Sequence, residues 1–182
     1  MNVLGVAGSL RRASHNRTLL RAAAALLPPE VEFSHYERLK LIPPFDEDDE
    51  PAPPLAVAHW RDAIATADAI LFATPEYNHS VPGQLKNAID WASRPSTAAV
   101  LRNKPVAVVG ASVGMFGAVW AQAELRKTLA GAGARVIDRE LPIATAHEAF
   151  HDDGTLNDRE QASELSAILA DLLDATRTRI AA

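Results

Sequence analysis

Short apolar runs alternate with longer amphipathic stretches along this chain. Asn2–Ala7 reads as a first strand. Arg17–Leu27 carries Leu19, Leu20, Ala23, Leu26 and Leu27 on one side, which predicts a helix that Pro28-Pro29 ends. Ser14 or Asn16 serves as its N-cap. Val31–Tyr36 alternates as a second strand, and Glu37–Pro54 is a long connection. Leu55–Ala67 reads as a helix with Ala56, His59, Trp60, Ala63, Ile64 and Ala67 on its inner side. Ala69-Ile70-Leu71-Phe72-Ala73 is apolar throughout, as a strand buried on both faces should be. The helix Gly83–Ser93 buries Leu85, Ala88, Ile89 and Ala92. Trp91 falls off that stripe and reads as an exposed anchor for a partner helix. Val106–Val109 is a fourth strand, followed by a helix running to about Ala132. Ala134–Ile137 starts a fifth strand that continues weakly into Leu141-Pro142-Ile143. Phe150–Asn157 is a polar turn, and Asp158–Ile180 is a final amphipathic helix.

Strands alternating with helices predict a parallel sheet covered on both faces, a three-layer α/β sandwich. With five strands and right-handed crossovers the natural order is 2-1-3-4-5. That order brings the loops after strands one, three and four to one switch point at the carboxyl edge of the sheet, where open α/β folds hold ligands. The chain is expected to form a single domain over residues 1–182.

Composition narrows the function. A net charge of -5 gives no support for nucleic-acid binding. There are no cysteines, so disulfides, thiolate metal sites and cysteine nucleophiles are excluded. The six histidines are scattered and show no metal-ligand spacing. No apolar run is long enough to span a bilayer, and a cytoplasmic protein is the expectation. Asp46–Glu50 is an acidic run read as a solvated loop, near either the ligand mouth or a subunit contact.

The first loop, Gly8–Asn16, has the parts of an anion site. Ser9 and Ser14 bring hydroxyls, Arg11 brings a fork suited to phosphate, and the free N–H groups near His15 and Asn16 add the positive end of a helix. The loop is neither a Walker A loop nor G-x-G-x-x-G; it suits one terminal phosphate. A solvated turn before a capped helix fits the same residues. The second loop, Pro75-Glu76-Tyr77-Asn78, offers an aromatic wall for a flat cofactor. The third, Gly110–Gly117, is rich in small residues.

These residues carry a resemblance. Gly8–Asn16 resembles the phosphate loop G-S-L-R-x-x-S-x-N of the NADPH-dependent FMN reductase family. Pro75–Gly83, with Leu85–Trp91 after it, is similar to that family's P-E-Y-N-x-S-x-P-G-x-L-K-N-A-[IL]-D-W, and Phe150–Gly154 to its F-x-x-D-G. The resemblance implies a flavodoxin-like fold and FMN as cofactor. NADPH or NADH would be co-substrate, and a quinone or similar small molecule the electron acceptor. It implies that Ser9, Arg11, Ser14 and Asn16 hold the FMN phosphate, with a backbone N–H from His15. Pro75, Glu76, Tyr77 and Asn78 would lie along the ring and ribityl chain, and Ser112 and Gly114 would approach from the other side.

His15 and Trp120 depart from residues common in the family, which often has an aromatic and an Arg there. The expected donors to the ring's polar edge are backbone N–H groups around Tyr77, Asn78 and Ser112. The Glu76 carboxylate should face out or bond backbone N–H groups. No side chain is assigned as a strictly catalytic residue and no metal is expected. The family also implies a homodimer or homotetramer, here burying Trp91 and Trp120. A flavodoxin-like electron carrier, or a flavin-binding sensor without NAD(P)H turnover, is the alternative.

Overall fold

The computed structural model describes residues 1–180. The strands are β1 (Asn2–Ala7), β2 (Glu32–His35), β3 (Ala69–Thr74), β4 (Pro105–Ala111), β5 (Arg135–Val136) and β6 (Pro142–Ile143). The helices are α1 (His15–Leu26), α2 (Leu55–Thr66), α3 (Gly83–Ala92), α4 (Val119–Gly131) and α5 (Arg159–Ile180). All strand pairs are parallel, in the order β2-β1-β3-β4-β5, with β6 also on β4.

Period-two alternation splits the core. Ala69, Leu71 and Ala73 of β3 face α1 and α5, while Ile70 and Phe72 face α2, α3 and α4. Both sets are fully buried, and burying a Leu, Ile or Phe side chain contributes about 1.5–3 kcal/mol. The middle strands are therefore apolar along nearly their whole length, Thr74 at the end of β3 apart.

Four sequence expectations need correction. Helix α1 starts at His15, ahead of Arg17, because Ser14 takes the extended backbone of an N-cap and accepts from the Arg17 N–H. Helix α2 buries Val57, Trp60 and Ile64, and leaves His59 exposed against the Tyr36 ring. The rest of the expected stripe holds, with Trp60, Ile64 and Ala67 buried and Ala63 packed against the core; His59 alone faces out, and Val57 joins the inner side. The fifth strand is split. β5 pairs the start of β4 and β6 its end, because Asp138-Arg139-Glu140 turns out between them. There Arg139 meets Glu164 and Asp171 of α5, and Arg126 of α4 lies near Asp138 and Glu140.

The fourth correction is Trp91, which is fully buried. Its indole N–H donates to the Pro43 carbonyl at 2.9 Å and its ring meets Phe45 edge-on at 4.9 Å. The 37–54 connection folds over α3 and covers it. Asn87 fixes that connection by accepting from the Phe45 N–H and donating to Pro43. Gln84 donates to the Leu39 and Ile42 carbonyls. Residues 46–49 stay exposed.

Candidate functional site

The registers Ala7↔Ala73 and Ala73↔Val109 set the ends of β1, β3 and β4 side by side. The three loops that leave them meet over a cleft of about 280 Å3. From the first loop come Ser9, Arg11, Ser14, His15 and Asn16; from the second, Pro75, Glu76 and Tyr77; from the third, Ala111, Ser112 and Val113. Asn78 and Gly114 are not in its lining. A larger cleft, about 740 Å3, lies between α3 and α4 and contains no residue of these loops.

Gly8 makes the first turn possible. Its N–H donates to the Ala73 carbonyl at 2.8 Å, and a Cβ there would come within 2.8 Å of Leu85 and 3.3 Å of Pro75. The chain then turns into α1. Among the described residues, the N–H groups of His15 and Asn16 have no protein acceptor. They are the orphan donors that every helix start leaves. The hydroxyls of Ser9 and Ser14 accept from the Arg11 and Arg17 N–H groups at 3.4 Å each, so their protons stay available. The first turn of α1 contains no acidic residue. Partial burial, then Arg11 and His147, hold the His15 imidazole below its usual range, so it is neutral near pH 7. Hydroxyls, helix N–H groups and the Arg11 guanidinium form a donor set that fits a phosphate dianion.

Asn16 has a second task. Its side chain is buried, donates to the Ala111 carbonyl at 2.9 Å and accepts from the Ala111 N–H at 3.0 Å. That amide bolts the start of α1 to the end of β4. The backbone N–H of Asn16 has no protein acceptor among the described residues and remains for an anion.

The second loop is a tight hairpin. Tyr77 and Ser80 exchange both backbone hydrogen bonds at 3.1 Å, and Asn78 and His79 take positive φ values of 52 and 59. This is a two-residue turn with both central residues left-handed. The Tyr77 ring stands half exposed at the cleft. The Glu76 carboxylate accepts from the N–H groups of Trp120 and Ala121 at 3.1 Å each, capping α4 as a bond to backbone N–H groups requires. Its other oxygen lies 3.6 Å from the His79 ring.

Two expected ring-edge donors are spent. Tyr77 donates its N–H to Ser80, and Ser112 donates its N–H to Ile143 at 3.0 Å. Among the described residues, the N–H groups of Asn78, His79 and Val113 lack acceptors. Gly114 is engaged too, with its N–H on the Ser112 hydroxyl at 3.2 Å. Sequence reasoning missed Val113 and the apolar rim beside it. Val113, Met115, Phe116 and Trp120 are all exposed. Trp120 packs edge-on between His79 at 4.8 Å and Phe116 at 4.9 Å. Large apolar residues among glycines in Val113–Gly117 were the available signal.

Among the described residues, no three His, Cys, Asp or Glu gather to hold a metal, and no helix is long and apolar enough to cross a membrane.

Comparison with known proteins agrees with this geometry. The family model described as NADPH-dependent FMN reductase matches residues 1–148. An NAD(P)H-dependent FMN reductase of Pseudomonas aeruginosa is 44% identical over 167 residues, covering 91% of this chain and 89% of the relative. A quinone reductase of Pseudomonas putida is 41% identical over 160 residues, covering 87% and 86%. The solved structure of FerB, a flavoenzyme NAD(P)H:(acceptor) oxidoreductase from Paracoccus denitrificans, superposes with a TM-score of 0.85 at 34% identity over 97% of each chain. The fold is flavodoxin-like, and the chain belongs to the NADPH-dependent FMN reductase family.

Proposed function

We propose that this protein is an NAD(P)H-dependent FMN oxidoreductase of the quinone reductase type. The observation that carries the reading is the carboxylate-free donor set at the start of α1, facing Tyr77 across one cleft. The family match supports it. The chemistry a bound FMN supplies is two-electron transfer between a nicotinamide nucleotide and an acceptor.

The chain's own residues bind and orient. Ser9, Ser14 and Arg11, with the N–H groups of His15 and Asn16, hold the phosphate. Pro75, Glu76 and Tyr77 line the ring and ribityl chain with Asn78 beyond them at the rim, and Ser112 and Val113, rather than Gly114, close the other side. Asn78 and Val113 keep the N–H groups that stabilise negative charge at a ring's polar edge. Glu76 sends its charge into the α4 N-terminus and away from that edge. No side chain acts as nucleophile. The exposed rim of Met115 and Phe116 suits a flat apolar acceptor such as a quinone.

The same proposal includes one domain over 1–182, a cytoplasmic location, and a homodimer or homotetramer paired through α3 and α4. Trp120 stays in that interface. Trp91 leaves it, because the 37–54 connection already covers it.

Steady-state oxidation of NADPH and NADH with a benzoquinone acceptor tests the function. The proposal expects parallel double-reciprocal lines, the pattern of donor and acceptor using one site in turn. No nucleotide oxidation by FMN-loaded protein would contradict it and favour the electron carrier.

A further inference from the structure

The first 29 residues hold Arg11, Arg12, Arg17 and Arg21 and no Asp or Glu, in a chain whose net charge is -5. Among the described residues, none of the four forms an ion pair, whereas Arg126, Arg139 and Arg177 are each paired. The Arg21 guanidinium donates only to its neighbour, the Thr18 hydroxyl, at 3.1 Å.

The fold sends these arginines to two sides of the phosphate loop. Arg11 lines the flavin cleft. Arg12, Arg17 and Arg21 line a second cleft of about 170 Å3 together with His35 and Glu37. Ala7 and His35, which line it too, end β1 and β2, so it opens at the carboxyl edge of the sheet, where such folds take ligands. Burial and the charges of Arg21 and Arg17 hold His35 below its usual range, against the opposing pull of Glu37. Both guanidiniums therefore act on the space that His35 faces.

Three guanidiniums against one carboxylate leave the cleft positive, and gathered like charges are relieved by an anion. Planar arginine forks match phosphate oxygens two at a time. The volume is below the roughly 300–1,000 Å3 that a whole drug-sized ligand occupies, so the cleft takes one group of a larger molecule. A phosphate monoester carries about -1.5 to -2 at neutral pH, more than one phosphate of a diphosphate bridge, and matches three arginines better. Glu37 is left to accept from a neighbouring ribose hydroxyl.

We propose that this second cleft binds the 2′-phosphate of NADPH and makes the chain prefer NADPH to NADH. The inference rests on a nicotinamide nucleotide being the electron donor.

Calorimetric titration of the FMN-loaded protein with adenosine 2′,5′-bisphosphate, 5′-AMP and inorganic phosphate tests it. In the Arg17→Ala/Arg21→Ala variant the bisphosphate should bind about tenfold more weakly or worse, with 5′-AMP binding and FMN content unchanged. The kcat/KM for NADPH should fall by a similar factor while that for NADH holds. Bisphosphate affinity kept within about twofold would overturn the assignment. Inorganic phosphate binding as tightly as the bisphosphate, and lost in the same variant, would make this a free-phosphate site and overturn it too. The titration needs no turnover. A chain that oxidises neither nucleotide sinks the proposed function, whereas an active enzyme whose bisphosphate affinity ignores both arginines sinks only this inference.

Discussion

At the scale of single residues, Arg11 and Glu76 make opposite contributions to one cleft. Arg11 supplies the only full positive charge among its lining residues, since His15 is neutral. Arg11→Ala should weaken FMN binding by about ten- to a hundredfold and leave the melting temperature of the apoprotein unchanged. An unaltered FMN dissociation constant would remove Arg11 from the phosphate site. Glu76 supplies the negative charge, spent on the N-terminus of α4. Glu76→Gln keeps one acceptor oxygen and loses the charge, so unfolding free energy should fall by about 1 kcal/mol. The flavin potential should rise, because a nearby negative charge disfavours adding electrons. A potential that does not move would mean α4 already screens the charge completely. Arg11 and Tyr77 were legible in the sequence because loop chemistry shows in residue type. The buried pairing of Asn16 with Ala111 was not, because a side chain that donates and accepts across 95 positions leaves no local signal.

At the scale of elements, the bolt between α1 and β4 is the feature to test. Asn16→Ala removes both hydrogen bonds and leaves the Ala111 N–H and carbonyl without these buried partners, at a cost of about 2–3 kcal/mol. Chemical denaturation measures that cost. Loss confined to FMN affinity, with stability unchanged, would show that the pairing does not hold the elements together. The helices and central strands were readable because β1, β3 and β4 are apolar except at Asn2 and Thr74 and the helix stripes repeat at 3.6 residues. The edge was not, because the split between β5 and β6 depends on Arg139 finding acids on α5. The fate of Trp91 depended on a long connection whose path is set by Gln84 and Asn87, side chains of the helix it covers.

At the scale of the whole molecule, two buried groups, Lys104 and Tyr36, set the alkaline stability. Lys104 is buried at the opposite edge of the sheet, where its ammonium donates to the Ala65 and Ala67 carbonyls. Burial first, then Arg179, lowers its pKa to about 8, against the pull of Asp68. The unfolded chain therefore holds more protons than the folded one between about pH 8 and the ordinary lysine value near 10.4, and stability should rise with pH across that window. Burial raises Tyr36 to about 12, so the folded chain keeps a proton the unfolded one loses above about pH 10, and stability falls there. Denaturation midpoints at pH 7.5, 8.5 and 9.5 should climb in the wild type and stay level in Lys104→Met. The central claim remains the flavin chemistry, and the absorbance spectrum of FMN-loaded protein tests it most directly. Flavin bands should bleach on anaerobic addition of NADPH and return when a quinone is added. Bands that persist with NADPH and with NADH would contradict the account and leave a flavin-binding carrier or sensor in its place.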